Sequence, residues 1–234
     1  MKTFVIGDIH GRYKALKEVL KSSKFDYNKD KLIILGDIVD GGINTYKVVE
    51  ELLKIKFTIF VLGNHDCWVM KYISSGWADS IWISQGGANT LRSYGADVLE
   101  ARTITDDPVI ITSNLNIPAT HQDFFNRAKY YHLENEMLFV HGGIDPKKPI
   151  ELQTKYTLVW DRDLIDDAQE KPIPGYNKIF IGHTSTQKFN GVMFPIKYNN
   201  LIMMDCGGGW NGKLAIMDIE SEEYWLSKKQ EGGK

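Results

Sequence analysis

Five short apolar runs in this chain each end on Asp, Asn or His beside glycine, and that repetition constrains the fold most. Leu32-Ile33-Ile34-Leu35 leads into Gly36-Asp37-Ile38-Val39-Asp40, and Phe4-Val5-Ile6 into Gly7-Asp8-Ile9-His10-Gly11. Ile59-Phe60-Val61-Leu62 leads into Gly63-Asn64-His65-Asp66, Leu138-Phe139-Val140 into His141-Gly142-Gly143, and Ile179-Phe180-Ile181 into Gly182-His183-Thr184. Runs rich in β-branched residues, cut by glycine, read as buried strands that turn sharply at their carboxyl ends.

In open α/β sheets ligands bind outside those ends, so the tips can converge on one site. They would bring together Asp8, His10, Asp37, Asn64, His141 and His183, a set of oxygen and imidazole donors suited to two divalent transition ions. Four of the six histidines sit at the tips, and His121 and His132 lie elsewhere.

Between the tips the pattern is helical. Leu16, Val19 and Leu20 face away from Lys14, Lys17 and Lys21 over residues 13–22, and Val48, Val49, Leu52 and Leu53 form one face over about 44–55. The first half thus reads βαβαβ, with right-handed parallel connections. Further helices are expected over 67–74, 89–94 and 121–128.

Residues 76–87 read as a loop rich in aromatics and glycine. Trp77 and Trp82 are expected to pack that connection onto the body, with a substrate groove as the alternative. Leu158-Val159-Trp160 is another apolar run, ahead of Asp161-Arg162-Asp163. Residues 166–176 read as an irregular loop that could overhang the site. Leu201–Asp205 and Leu214–Ile219, joined through Gly207–Gly212, read as a hairpin in an antiparallel second sheet.

Length and composition fit one domain, expected over 1–226, with a disordered tail over 227–234. The chain is 43% hydrophobic and 25% charged with a net charge of −2, so bulk attraction to nucleic acid or anionic membrane is not expected. Two cysteines, Cys67 and Cys206, make no disulfide framework, and no apolar stretch is long enough to span a bilayer. A cytoplasmic setting is the expectation.

Two closely spaced ions suit in-line attack on phosphorus, because they acidify a bridging water and offset the charge on phosphoryl oxygens. Asp37 is placed to bridge them. His65, beside Asn64, is the candidate acid for the leaving oxygen. Asp40 is its expected carboxylate partner, and Asp66 the alternative. Arg162 is the best-placed phosphate clamp.

These motifs, with Gln85-Gly86-Gly87, Ser93-Tyr94-Gly95 and Leu158-Val159-Trp160-Asp161-Arg162, closely resemble the phosphoprotein phosphatase family of calcineurin-like metallophosphoesterases. The branch they are similar to is bacterial and phage-type, with small Ser/Thr phosphatases and symmetrical diadenosine tetraphosphate hydrolases. The resemblance covers nearly the whole chain. It implies an α/β sandwich of two mixed β-sheets flanked by helices, with a binuclear centre.

By the same resemblance Asp8, His10 and Asp37 hold one ion, and Asp37, Asn64, His141 and His183 the other. Asn64 also contacts substrate phosphate, and His65 with Asp40 forms the acid dyad. Manganese is the expected metal, with iron, zinc, nickel or cobalt as alternatives. A phosphoprotein or phosphopeptide is the leading substrate class, which makes the chain a protein Ser/Thr phosphatase. The alternative is hydrolysis of dinucleoside tetraphosphates or nucleic-acid-end phosphates, and a non-catalytic phosphate-binding scaffold ranks third. The family usually carries arginine after the dyad aspartate, where this chain has Gly41. Arg12 is the expected replacement for that charge.

Overall fold

A computed structural model describes residues 1–102, 108–113 and 115–230. The first half alternates as expected: β1 (Thr3–Ile6), β2 (Lys31–Ile34) and β3 (Phe57–Phe60) pair in parallel, connected by helices Tyr13–Ser22 and Thr45–Leu52. A hairpin of β4 (Asp97–Arg102) and β5 (Pro108–Ser113) stands apart. The second half supplies β6 (Tyr131–Glu134), β7 (Met137–Val140), β8 (Lys178–Ile181), β9 (Ile196–Tyr198), β10 (Leu201–Met203), β11 (Ala215–Asp218) and β12 (Tyr224–Leu226).

Two mixed five-stranded sheets result, in the orders β12-β11-β1-β2-β3 and β6-β7-β8-β10-β9. Strand alternation explains why they stack. Val5 and Ile33 from the first sheet meet Phe139, Phe180 and Ile202 from the second, and the Phe139 and Phe180 rings lie parallel at 5.0 Å. The alternate residues Phe4, Ile6, Leu32 and Ile34 face outward onto Leu16, Val19, Val48 and Leu52 of the helices. Leu138, Val140, Ile179 and Ile181 do the same on the far side, against Leu158, Leu164 and Ile165. Helices therefore cover both outer faces of a two-sheet sandwich. All five tips emerge where the parallel strands end.

Two sequence expectations are corrected, and one apolar run left unassigned is placed. Leu158-Val159-Trp160 ends a helix, Lys155–Trp160, that starts at Thr154, whose hydroxyl accepts from the Thr157 amide at 3.0 Å. Residues 166–176 do not overhang the site. They begin inside a helix, Leu164–Glu170, and continue to Ile173, which is buried and tied to Asn200 by two hydrogen bonds of 2.9 Å. The expected hairpin is not one: β10 pairs with β8 and β9, whereas β11 pairs with β1 and β12. Residues 204–214 instead cross from one sheet to the other over the strand tips.

Part of the expected tail is packed. Ser227 is buried and its amide donates to Leu214, and the Gln230 amide donates to Gly212. Residues 231–234 lie outside the described residues. Among the described residues no helix is long and apolar enough to cross a membrane.

Candidate functional site

The tips hold their side chains in place partly through unusual backbone. His10, Asp37, Asp40 and His183 all have positive φ, between 46° and 67°, and such strain collects where surrounding structure fixes a functional group. Glycine is required beside them: a Cβ on Gly63 would collide with Asp37 Oδ1. Asp66, the alternative dyad partner, has another task. Its carboxylate accepts from the amides of Gly63, Asp37 and Ile38, which locks the second tip to the third.

The expected residues meet at one cleft. Asp8, His10, Asp37, Asn64, His65, Arg162 and His183 line a hollow of about 360 Å³, with Trp68, Trp160, Trp210, Lys188 and Asp205. His141 lies beneath, fully buried. A comparably sized groove beside β3 is walled by Leu52, Ile59, Phe60 and Phe124 with Lys56, Arg127 and Lys129. It has no ligating His or Asp, so the chemistry belongs to the strand-tip cleft.

Whether this donor set fits metal can be tested atom by atom. His10 Nδ1 donates to the Val39 carbonyl at 2.9 Å and His141 Nδ1 to the Leu35 carbonyl at 2.6 Å, which turns both Nε2 atoms inward. His141 Nε2 faces Asn64 Oδ1 at 3.0 Å and Asp37 Oδ2 at 3.4 Å, and His10 Nε2 lies 3.7 Å from Asp37 Oδ2. Among the described residues His183 Nε2 is buried with no hydrogen-bond partner. Donor atoms of Asp37, His141 and His183 lie within 4.8 Å of one another, as do those of His10, Asp37 and His65. Acceptors converging on a bridging carboxylate fit divalent cations.

Electrostatics point the same way. Burial and the neighbouring Asp205 and Asp37 carboxylates push Asp8 well up, and burial raises Asp205 to about 6. Burial opposes ionisation of Asp37 too, but His141, His65 and His10 pull it well below the usual range. Burial lowers His10 to about 4 and His183 to about 2, keeping both neutral as ligands must be. The centre thus has more buried carboxylate than its side chains can neutralise, and cations would relieve that.

His65 and Asp40 meet as expected, with His65 Nδ1 donating to Asp40 Oδ2 at 2.6 Å. Burial opposes the His65 charge, but Asp37 and Asp40 raise its pKa overall. Sequence reasoning missed two donors to Asp40. Thr90 Oγ1 donates at 2.6 Å, and Trp82 Nε1 lies 3.0–3.1 Å from both carboxylate oxygens. Trp82 is buried, as the packing expectation had it, whereas Trp77 is 64% exposed and bonds only locally to Asp79 and Ser75. Asp205 was also missed, although Met203-Met204-Asp205 repeats the run-to-carboxylate pattern.

Arg162 lines the cleft, its Nη1 donating to the His183 carbonyl at 3.1 Å and to Thr184 Oγ1 at 2.7 Å. Arg12 is not a cleft-lining residue, and its Nη2 donates to the Gly209 carbonyl at 2.7 Å. That bond ties the first tip to the crossing segment. Gly41 has φ of 62°, and a Cβ there would lie 3.0 Å from the Gly209 oxygen and 3.1 Å from His10 Cβ. The crossing segment closes in on Gly41, and Trp210 lies 6.0 Å from the His10 ring.

The sequence profile of the calcineurin-like phosphoesterases matches residues 1–202. A symmetrical bis(5'-nucleosyl)-tetraphosphatase from Nitrosospira multiformis is 28% identical over 64% of this chain and 46% of its own length. The matching stretches span between 23% and 48% of such curated relatives, so the chain covers less than half of their length. A crystal structure described provisionally as a diadenosine tetraphosphatase shares the fold at a TM-score of 0.71, with 17% identity over 99% of this chain and 95% of that one. A protein Ser/Thr phosphatase from Saccharomyces cerevisiae does so at 0.58, with 14% identity over 100% of this chain and 82% of that one.

Proposed function

Because this chain belongs to the calcineurin-like phosphoesterase family, we propose that it hydrolyses nucleotide phosphoanhydrides, with symmetrical dinucleoside tetraphosphates as the substrate class. The observation that carries this reading is aromatic. Trp68 and Trp160 pack at 5.5 Å on one side of the centre, against His65 and His183, and Trp210 stands beside His10. All three indoles line the cleft. Indole faces stack nucleobases, each stack worth about 1–3 kcal/mol, and a phosphothreonine offers nothing to stack. The names of the curated relatives support the same class. The protein Ser/Thr phosphatase expectation accordingly becomes the second choice.

Asp8, His10 and Asp37 would hold one divalent ion, and Asp37, Asn64, His141 and His183 the other. Such ions, when bound, supply Lewis acidity to water and phosphoryl oxygen. The chain supplies the rest. Arg162, oriented by Thr184 and the His183 carbonyl, presents cationic donors to the phosphoryl group under attack. His65, held by Asp40, delivers a proton to the departing oxygen. An anhydride's phosphate leaving group needs that proton less than an alkoxide does.

The test is Mn²⁺-loaded hydrolysis of diadenosine tetraphosphate beside a phosphothreonine peptide. Preferential conversion of the dinucleotide to two ADP supports the proposal. Faster peptide turnover restores the protein phosphatase reading, and silence on both substrates favours a phosphate-binding scaffold. Manganese is the proposed ion, and reloading with iron, zinc, nickel or cobalt ranks the alternatives.

A further inference from the structure

The cleft contains a second cation that the reaction as described does not use. Lys188 ends a short turn, Thr186–Lys188, that directly follows the fifth tip. The turn is anchored at both ends: the Thr186 amide donates to the Asp205 carbonyl at 2.8 Å, and the Lys188 amide to the Ser185 carbonyl at 3.0 Å. The Lys188 side chain lines the same hollow as Arg162, His183 and Trp210. Among the described residues its ammonium makes no hydrogen bond or salt bridge, although most other lysines with acid neighbours pair with them.

Lys188 and Arg162 both feel the Asp205 carboxylate in the same hollow, but one carboxylate does not balance two cations, which leaves the pair suited to a further anion. Desolvation and the charge of Arg162 lower the Lys188 pKa, and Asp205 only partly offsets this. On the opposite wall Gly41 presents no side chain, and the Arg12 guanidinium there donates to the Gly209 carbonyl and does not line the hollow. Any grip on a phosphate beyond the one at the metal centre therefore falls to the Lys188 side.

We propose that Lys188 is a specificity-determining residue that binds the phosphate next to the one held by Arg162, so that the cleft selects diphosphate and longer chains over monoesters. This rests on the nucleotide reading above, since only a phosphoanhydride presents that second phosphate. Lysine suits the task, because a compact ammonium on a flexible stem can follow a chain whose outer oxygens vary in position.

The direct test is calorimetric binding of methylenebisphosphonate, a non-hydrolysable diphosphate, and of methylphosphonate to the Mn²⁺-loaded full chain. Lys188→Met is expected to weaken the bisphosphonate about tenfold and the monophosphonate less than about twofold, in line with one charge-assisted contact in a partly solvated cleft. Lys188→Arg recovers most of that loss, and Lys171→Met, at an exposed site away from the cleft, changes neither. Equal weakening of both ligands, loss of bound manganese, or no change would each overturn the proposal. Dinucleotide hydrolysis without this Lys188 dependence sinks the lysine assignment alone. Bisphosphonate selectivity in a protein that leaves diadenosine tetraphosphate intact sinks the substrate reading alone.

Discussion

Trp82 Nε1 lies within hydrogen-bonding distance of both oxygens of Asp40, at 3.1 and 3.0 Å, across 42 residues of chain. Burial would push the Asp40 carboxyl up, and the donors His65, Thr90 and Trp82 work against that. Under the proposed acid role of His65, the indole supports the carboxylate that holds it. Trp82→Phe keeps most of the packing and removes one donor. Its kcat is expected to fall about five- to tenfold, with the acid limb of the pH–rate profile moved upward, since Asp40 then ionises at higher pH. A purely structural role would lower Tm and leave that limb in place.

His65 lies within ligating distance of His10 and Asp37 as well as on Asp40, so acid and ligand roles must be separated. His65→Asn is expected to retain manganese and to lose far more turnover on alkyl than on aryl phosphates. Asp37→Asn is expected to lose metal and turnover together. Atomic absorption on both variants decides: a metal-depleted His65→Asn protein would make His65 a ligand.

Restoring the family arginine should not restore a phosphate contact. Gly41 takes a left-handed backbone that costs a side chain about 1–2 kcal/mol, and a Cβ there presses on the Gly209 oxygen and His10. Gly41→Arg is expected to lower Tm and turnover without tightening orthophosphate inhibition. Tighter inhibition at unchanged Tm would show that the crossing segment yields.

Glu51 offers a pH test remote from the centre. Its buried carboxylate accepts from Lys17 at 2.6 Å, Tyr27 at 2.7 Å and Lys54 at 2.8 Å. Burial alone would raise its pKa, but those donors bring it down from 4.5 to about 2. The folded value is depressed, so the stabilisation is complete above about pH 5 and is lost as pH falls toward 2. Both lysines are about half exposed, which leaves about 1–2 kcal/mol after screening. Glu51→Gln should therefore melt lower than the parent at pH 7, with the gap closing in acid. Comparing metal-stripped proteins keeps ligand protonation out of the measurement.

The strand tips were legible because alternation and glycine punctuation are local signals, and five of them repeat one design. Asp40 and His65 could be paired from the need of an imidazole for a carboxylate. Trp82 could not be joined to them, since its donor role depends on how 76–87 folds back. The run at 158–160 is too short for periodicity to separate helix from strand. Residues 201–219 misled because a hairpin and a crossing between two sheets share the same strand–glycine–strand pattern. Lys188 carries no sequence signal apart from lying five residues beyond His183.

That crossing sets where the two leaves of the sandwich are fastened. Asp8, Asp37 and Asn64 follow strands of one sheet, His141 and His183 strands of the other, and Asp205 begins the span between them. An ion shared by Asp37, Asn64, His141 and His183 would act as a rivet through both leaves. Occupancy and folding would then be one equilibrium, each hundredfold excess of free ion over its dissociation constant adding about 2.7 kcal/mol. Stripping the ions should lower Tm as well as silence the site, and metal scarcity would shorten the life of the protein along with its activity.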